Sequence, residues 1–207
     1  MNIKKHAFTL AELLIAMVIL GVIAALTIPV LLSNVFSRSY AAAGKNMIST
    51  IEQLAADELV DKKTRLLSST DFADASKLLT SEHFEVNSNS SCKVGEANCM
   101  SPADGFFKLD SHESIDNPFP AGATAIVLKN GTVLTYTVQG GKERYARFIF
   151  DVNGADKPNT VGRDIFAFDV DIYGHYAPQN AATEQGCRGG DVMQCVDALM
   201  NNAWNPL

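Results

Sequence analysis

The segment from Phe8 to Leu32 restricts this chain more than any other feature. It reads "FTLAELLIAMVILGVIAALTIPVLL" and carries a single charged side chain, Glu12. As a helix rising about 1.5 Å per residue, it can cross a hydrocarbon core about 30 Å thick. Lys4 and Lys5 precede it and would hold that end on the cytoplasmic side. An ordinary secretory signal has an apolar run of roughly 7–15 residues. This one is longer and holds an acid, although "SYAAAG" offers a small-residue cleavage site ending at Ala43. A plain membrane anchor accounts for the length and the basic flank. It does not account for the carboxylate, since an acid in a span costs about 2.5–3.5 kcal/mol even on the mild insertion scales.

A third reading accounts for every part. "KKHA" followed by "FTLAELLIAMVILGVIAALTIP" resembles the N-terminal signal of type IV pilins and type II secretion pseudopilins. In that family a short basic leader is cut before a Phe by a dedicated prepilin peptidase. The resemblance implies cleavage between Ala7 and Phe8, with N-methylation of Phe8. Ala7 stands where the family more often has Gly. The resemblance also makes Glu12 the assembly carboxylate and Pro29 the helix-bending proline. It covers about the first 32 residues of the 207.

The physics of the segment agrees with this. Cleavage there removes only the leader and leaves the apolar helix attached. The helix then meets lipid first and the packed core of a filament afterwards. A buried acid becomes tolerable beside a cation, and the new α-amino group of Phe8 is one. Pro29 lacks an N–H and clashes with the preceding turn, which predicts a kink or a locally melted stretch.

Beyond the apolar run, Tyr40, Met47, Ile48, Ile51, Leu54, Ala55 and Leu59 recur at helical spacing. Lys45, Glu52, Asp57 and Glu58 fall largely on the other side. One long helix is therefore expected to end near Asp61. A short second helix is expected over Asp71–Phe84, capped from Ser69, Thr70 or Asp71. Residues 87–122 read as loop. "ATAIVL" and "TVLTYTV" flank Asn130-Gly131, a hairpin signal, and "RYARFIF" and "IFAFDVDIYG" alternate like strands. These predict a four-stranded antiparallel meander from Ala123 to Tyr173, its apolar face against the outer half of the first helix. "GGDVMQCVDALMNNAW" predicts a C-terminal helix. The class is α+β, and the order of elements is that of the pilin-like fold the resemblance implies. The domain reading is a leader at 1–7, a transmembrane or filament-core helix at 8–32, and a globular domain at 33–207.

The four cysteines form two close pairs. Behind a membrane-targeting segment an even count reads as disulfides. Of the three connectivities, Cys92–Cys99 with Cys187–Cys195 is the simplest, and reduced core cysteines are the alternative. Neither spacing matches a zinc knuckle. The net charge of −6 gives no basic face for nucleic acid. His6, His83, His112 and His175 are scattered and read as surface residues, and no nucleophile elbow or phosphate loop is present. Catalysis is not expected. Oxygen ligands are dense in "DVNGADKPNTVGRD": Asp151, Asn153, Asp156, Asn159 and Asp164. Calcium takes six to eight oxygens, and the resemblance permits calcium in a sheet loop. The segment departs from an EF-hand, because Gly154 comes early and Gly162 stands where the glutamate belongs. A turn built on Asn-Gly and Pro158 is the competing reading.

The resemblance implies a structural filament subunit in the bacterial inner membrane, with its globular domain in the periplasm. Its partners would be other pilin or pseudopilin subunits, the prepilin peptidase and an assembly platform driven by a cytoplasmic ATPase. The alternative is a minor, tip-located pilin that binds a surface or a secreted substrate.

Overall fold

The computed structural model of the protein describes residues 9–80, 82–96, 99–100, 102, 104–154, 156–179 and 182–207. The chain divides into two compact units, Met1–Ser37 and Arg38–Leu207. The helix α1, Leu10–Asp61, contributes to both.

In the first unit α1 is apolar around its whole circumference. Its most apolar stretch has a mean hydropathy of 2.8, and none of it is buried within the protein. Leu10, Met17, Leu20 and Leu26 are each at least 65% exposed. A helix hydrophobic all round takes its burial from a surrounding apolar medium.

The second unit holds the core. Ala41, Ile48, Ile51 and Ala55 of α1 are buried in it, and Tyr40, Met47, Leu54 and Leu59 pack at its margin. This is the face that helical spacing marks out. The opposite side is less solvated than its charges suggest. Glu58 is buried and accepts a bond from the Asp71 N–H at 3.1 Å. Glu52 accepts from the Tyr176 N–H at 2.9 Å.

After α1 the expected second helix is only partly formed. Asp71–Ala73 is a 3-10 turn and α2 is Ala75–Leu78. The Thr70 side chain caps the first and Asp74 caps the second. Two caps so close together restart the chain instead of letting one helix run on to Phe84.

The main sheet has six antiparallel strands, not four. They are β1 (Val86–Lys93), β4 (Thr124–Leu128), β5 (Val133–Val138), β6 (Ala146–Asp151), β7 (Ile165–Val170) and β8 (Tyr176–Ala177), lying in that order. A separate two-stranded ribbon joins β2 (Phe106–Phe107) to β3 (Ser114–Ile115). The central four strands are the expected meander, with Asn130-Gly131 between β4 and β5. Gly131 has φ +91° there, which a non-glycine residue adopts only under strain. The two additional strands lie at the sheet edges. β1 comes from a polar stretch read as loop. An edge strand can be held by backbone pairing to one neighbour, and β1 has register shifts typical of that position.

Phe148 stands directly opposite Phe168, and Phe150 opposite Phe166. Tyr136 and Phe72 pack against Phe148. Residues on alternate positions of adjacent strands share a face, so these rings form one aromatic layer. A Cβ at Gly44 of α1 would lie 3.6 Å from the Phe166 ring, so α1 approaches this layer closely. All six residues of β7 are buried, which accounts for both faces of that strand being covered. The C-terminal region is two helices, α3 (Glu184–Arg188) and α4 (Val192–Asn201), and α4 packs on β7.

Candidate functional site

At the N-terminus, Ala7 and Phe8 lie outside the described residues. Thr9 and Glu12 are described, and they bond reciprocally. The Thr9 N–H and hydroxyl both donate to Glu12 Oε2, at 2.8 and 3.0 Å. The Glu12 N–H donates to the Thr9 hydroxyl at 3.2 Å. This is a capping box, in which a Thr and a Glu three residues on satisfy each other's unpaired amides. The spacing T-x-x-E was legible in "FTLAE", but the acid was read only as a partner for an amine. The carboxylate therefore has a local role within its own chain, and the Thr9 and Glu12 amides at the start of the apolar helix are satisfied. The side chain remains exposed, free to accept further donors.

The helix is continuous through Pro29, so no locally melted stretch exists there. One rung of the ladder, from position 29 to the Ala25 carbonyl, is absent by chemistry. Thr27 bonds back to the Ile23 carbonyl at 2.9 Å, a second local disturbance of the same turn.

In the second unit, the loop between β6 and β7 begins at Asp151 and ends at Asp164, and both are fully buried. The Asn159 and Thr160 N–H groups donate to the two oxygens of Asp164, at 2.8 and 2.7 Å. The Asn153 N–H donates to Asp151 Oδ1 at 3.2 Å. Asp151 Oδ2 and Asn153 Oδ1 are buried with no protein donor among the described residues. Burial, and then the charge of Asp164, pushes the Asp151 carboxyl up to about 9. Burial pushes Asp164 up to about 6, against the pull of its backbone donors. Two carboxyls in one dry site cannot both ionise without a counter-charge. They share a proton or hold a cation.

The expected oxygen set is therefore gathered in part. Asp151 and Asp164 face a common environment, and Asn153 and the buried Asn159 flank them. Asp156 is exposed, and its carbonyl, not its carboxylate, is engaged, accepting from Asn153 Nδ2 at 2.7 Å. Orphaned buried oxygens beside two carboxyls fit a hard cation. They fit the turn reading too, since most of the polar bonds in the loop are local.

The cysteines are bonded as Cys92–Cys99 and Cys187–Cys195. The second bridge joins α3 to α4 and lies under the acidic loop, because a Cβ at Gly162 would collide with Cys187 Sγ. Gly162 also has φ +83°. Both facts require glycine there, which is why a ligand could not occupy that position.

Residues 2–28 match the family described as the prokaryotic N-terminal methylation motif. The match supports the type IV pilin and pseudopilin family. No curated protein and no solved structure matches the chain.

Proposed function

We propose that this chain, with its prokaryotic N-terminal methylation motif at residues 2–28, is a structural subunit of a type IV pilus or type II secretion pseudopilus. A prepilin peptidase cuts between Ala7 and Phe8 and methylates the new amine. The helix from Phe8 to Leu32 first anchors the protein in the inner membrane with the second unit on the periplasmic side. An assembly platform then draws it into a helical filament among other subunits, where the same apolar surface packs against neighbouring helices. The observation that carries this reading is an apolar stretch of α1 with mean hydropathy 2.8 behind an acid, Glu12, in the first turn of the same helix. Lipid supplies no reason for that acid, whereas an amine on a neighbouring helix does.

Calcium is the cation we assign to the Asp151–Asp164 loop. What supports it is the pair of buried carboxyls with orphaned oxygens beside them. Asp151, Asn153 and Asp164 would hold the ion, and the ion would add to the counter-charge that Arg163 gives Asp164.

Intact-mass and N-terminal analysis of membrane-extracted protein tests the central reading. The expected chain begins with N-methyl-Phe8. A chain beginning at Gly44 would restore the secretory-signal reading, and an uncut chain would leave a plain anchor.

A further inference from the structure

We propose that Glu58, Asp71 and His83 form a binding site for a divalent transition-metal ion of the zinc class. Three segments bring them together. Glu58 lies in the last turn of α1 and is 7% exposed. Asp71 opens the 3-10 turn, and His83 follows α2 with a side chain only 8% exposed. The reading of His83 as a surface residue is thereby corrected. One ligand atom from each residue lies within 4.8 Å of the others. His83 Nε2 is 3.3 Å from Asp71 Oδ2.

Zinc bonds to N and O of about 2.0–2.2 Å, set tetrahedrally, place ligand atoms about 3.3 Å apart. His83 and Asp71 already stand at that spacing. Glu58 closes the set by a carboxylate movement of up to about 1.5 Å from its place within 4.8 Å of the others. The Asp71 N–H donates to Glu58 Oε2 at 3.1 Å and tethers that carboxylate beside the other two ligands. Second-neighbour bonds of this kind hold ligating carboxylates in place.

The charges also call for a cation. Two carboxylates face one imidazole, and Lys62 Nζ reaches only Asp71, at 3.5 Å from Oδ1. Among the described residues Glu58 has no ion-pair partner. Lys62 is 45% exposed and can swing into solvent when a metal enters. An imidazole ligand selects zinc and its transition-metal neighbours over calcium and magnesium, which take oxygen. Three protein ligands leave a fourth position for water. The metal would tie the end of α1 to the segment 71–83, adding to the anchorage of the buried Phe72 and Leu78.

The experiment uses full-length, tag-free protein in detergent, stripped of metal, with zinc chloride or cobalt chloride as probes. Zinc is expected to raise the melting temperature, and His83→Ala is expected to abolish the rise. His175→Ala, at an exposed histidine outside the cluster, should keep it. No rise, or a rise that survives in His83→Ala, overturns the site. Lys62→Ala keeps the test decisive if the histidine variant fails to fold. Removing the competing ammonium should tighten cobalt binding about threefold or more, read from the visible absorption of an imidazole-bound ion. Unchanged or weaker binding in Lys62→Ala contradicts the proposal.

Discussion

The two units of the chain handle carboxylates and apolar side chains in opposite ways. In Met1–Ser37 the apolar side chains point outward and the acid is satisfied locally, by Thr9. In Arg38–Leu207 the apolar side chains form a closed core, and several acids, Asp151 and Asp164 among them, are buried with it. The second unit supplies its own apolar surroundings. The first depends on other molecules for burial, whether lipid or neighbouring helices. An exposed apolar surface of that size does not persist in water. An acid with a local partner can enter apolar surroundings at modest cost and still exchange that partner for a better one.

Truncating an aromatic ring separates the two units most sharply. Phe148 is fully buried and lies 5.3 Å from the Phe168 ring. Phe148→Ala should destabilise the protein by about 3–5 kcal/mol, followed by near-UV circular dichroism during thermal unfolding. Leu20→Ala, at an exposed position of α1, should leave that transition where it was. Equal effects would erase the distinction between a self-contained core and a borrowed one.

The acidic loop probes the second unit through pH, and the sign of its effect is fixed. An ordinary aspartate ionises near 3.9 in the unfolded chain, while Asp151 in the folded protein holds its proton up to about 9. The folded state therefore binds more protons than the unfolded state between these values. In metal-free protein, stability is greatest below about pH 4 for this group and falls as pH rises toward 9, by at most about 1.4 kcal/mol per pH unit for each proton. Asp164, raised to about 6, adds its part over the lower half of the window. Calcium should flatten the decline, because it stabilises the ionised pair, and Asp151→Ala should remove the calcium effect. A melting temperature that ignores both pH and millimolar calcium would leave a turn with a passive charge pair.

The disulfides give the smallest effect. Their sequence separations are 7 and 8, and loops shorter than ~15 residues should each contribute less than about 3 kcal/mol. Cys187→Ala with Cys195→Ala should cost more than the Cys92 and Cys99 pair, since both members are fully buried and support Gly162. Melting temperatures of the two double variants, compared under non-reducing conditions, settle the order.

Much of this was legible wherever one physical signal dominated. The long apolar run, the end of α1 at Asp61 and the four central strands follow from periodicity and from Asn130-Gly131. β1 was not legible, because "VNSNSSCK" has no alternation and is held by backbone pairing at an edge. β8 is two residues long, too short for any period. Asp71–Phe84 has enough apolar residues for a helix, but Thr70 and Asp74 cap it twice. Within the candidate sites, the oxygen-rich loop was visible because its residues are close in sequence. Glu58, Asp71 and His83 were not, since they sit on three elements with no motif spacing. The capping-box spacing stands in "TLAE", but an acid among apolar residues points first to an amine partner and masks the local role.

The exposed, locally bonded acid in an apolar helix is the feature on which the filament reading turns. In water or at a membrane surface Glu12 answers Thr9. We propose that in a filament core it turns to the Phe8 amine, in its own chain or a neighbour's, and so sets the register of an incoming helix. Apolar contacts along Leu13–Leu32 slide too easily to do this alone. The decisive measurement is the ratio of sheared-filament protein to membrane-bound protein, wild type against Glu12→Val. The account expects normal cleavage and membrane insertion in the variant, with that ratio reduced about tenfold or more, as for one amine left unpaired in a dry interface. An unchanged ratio with normal cleavage would contradict it.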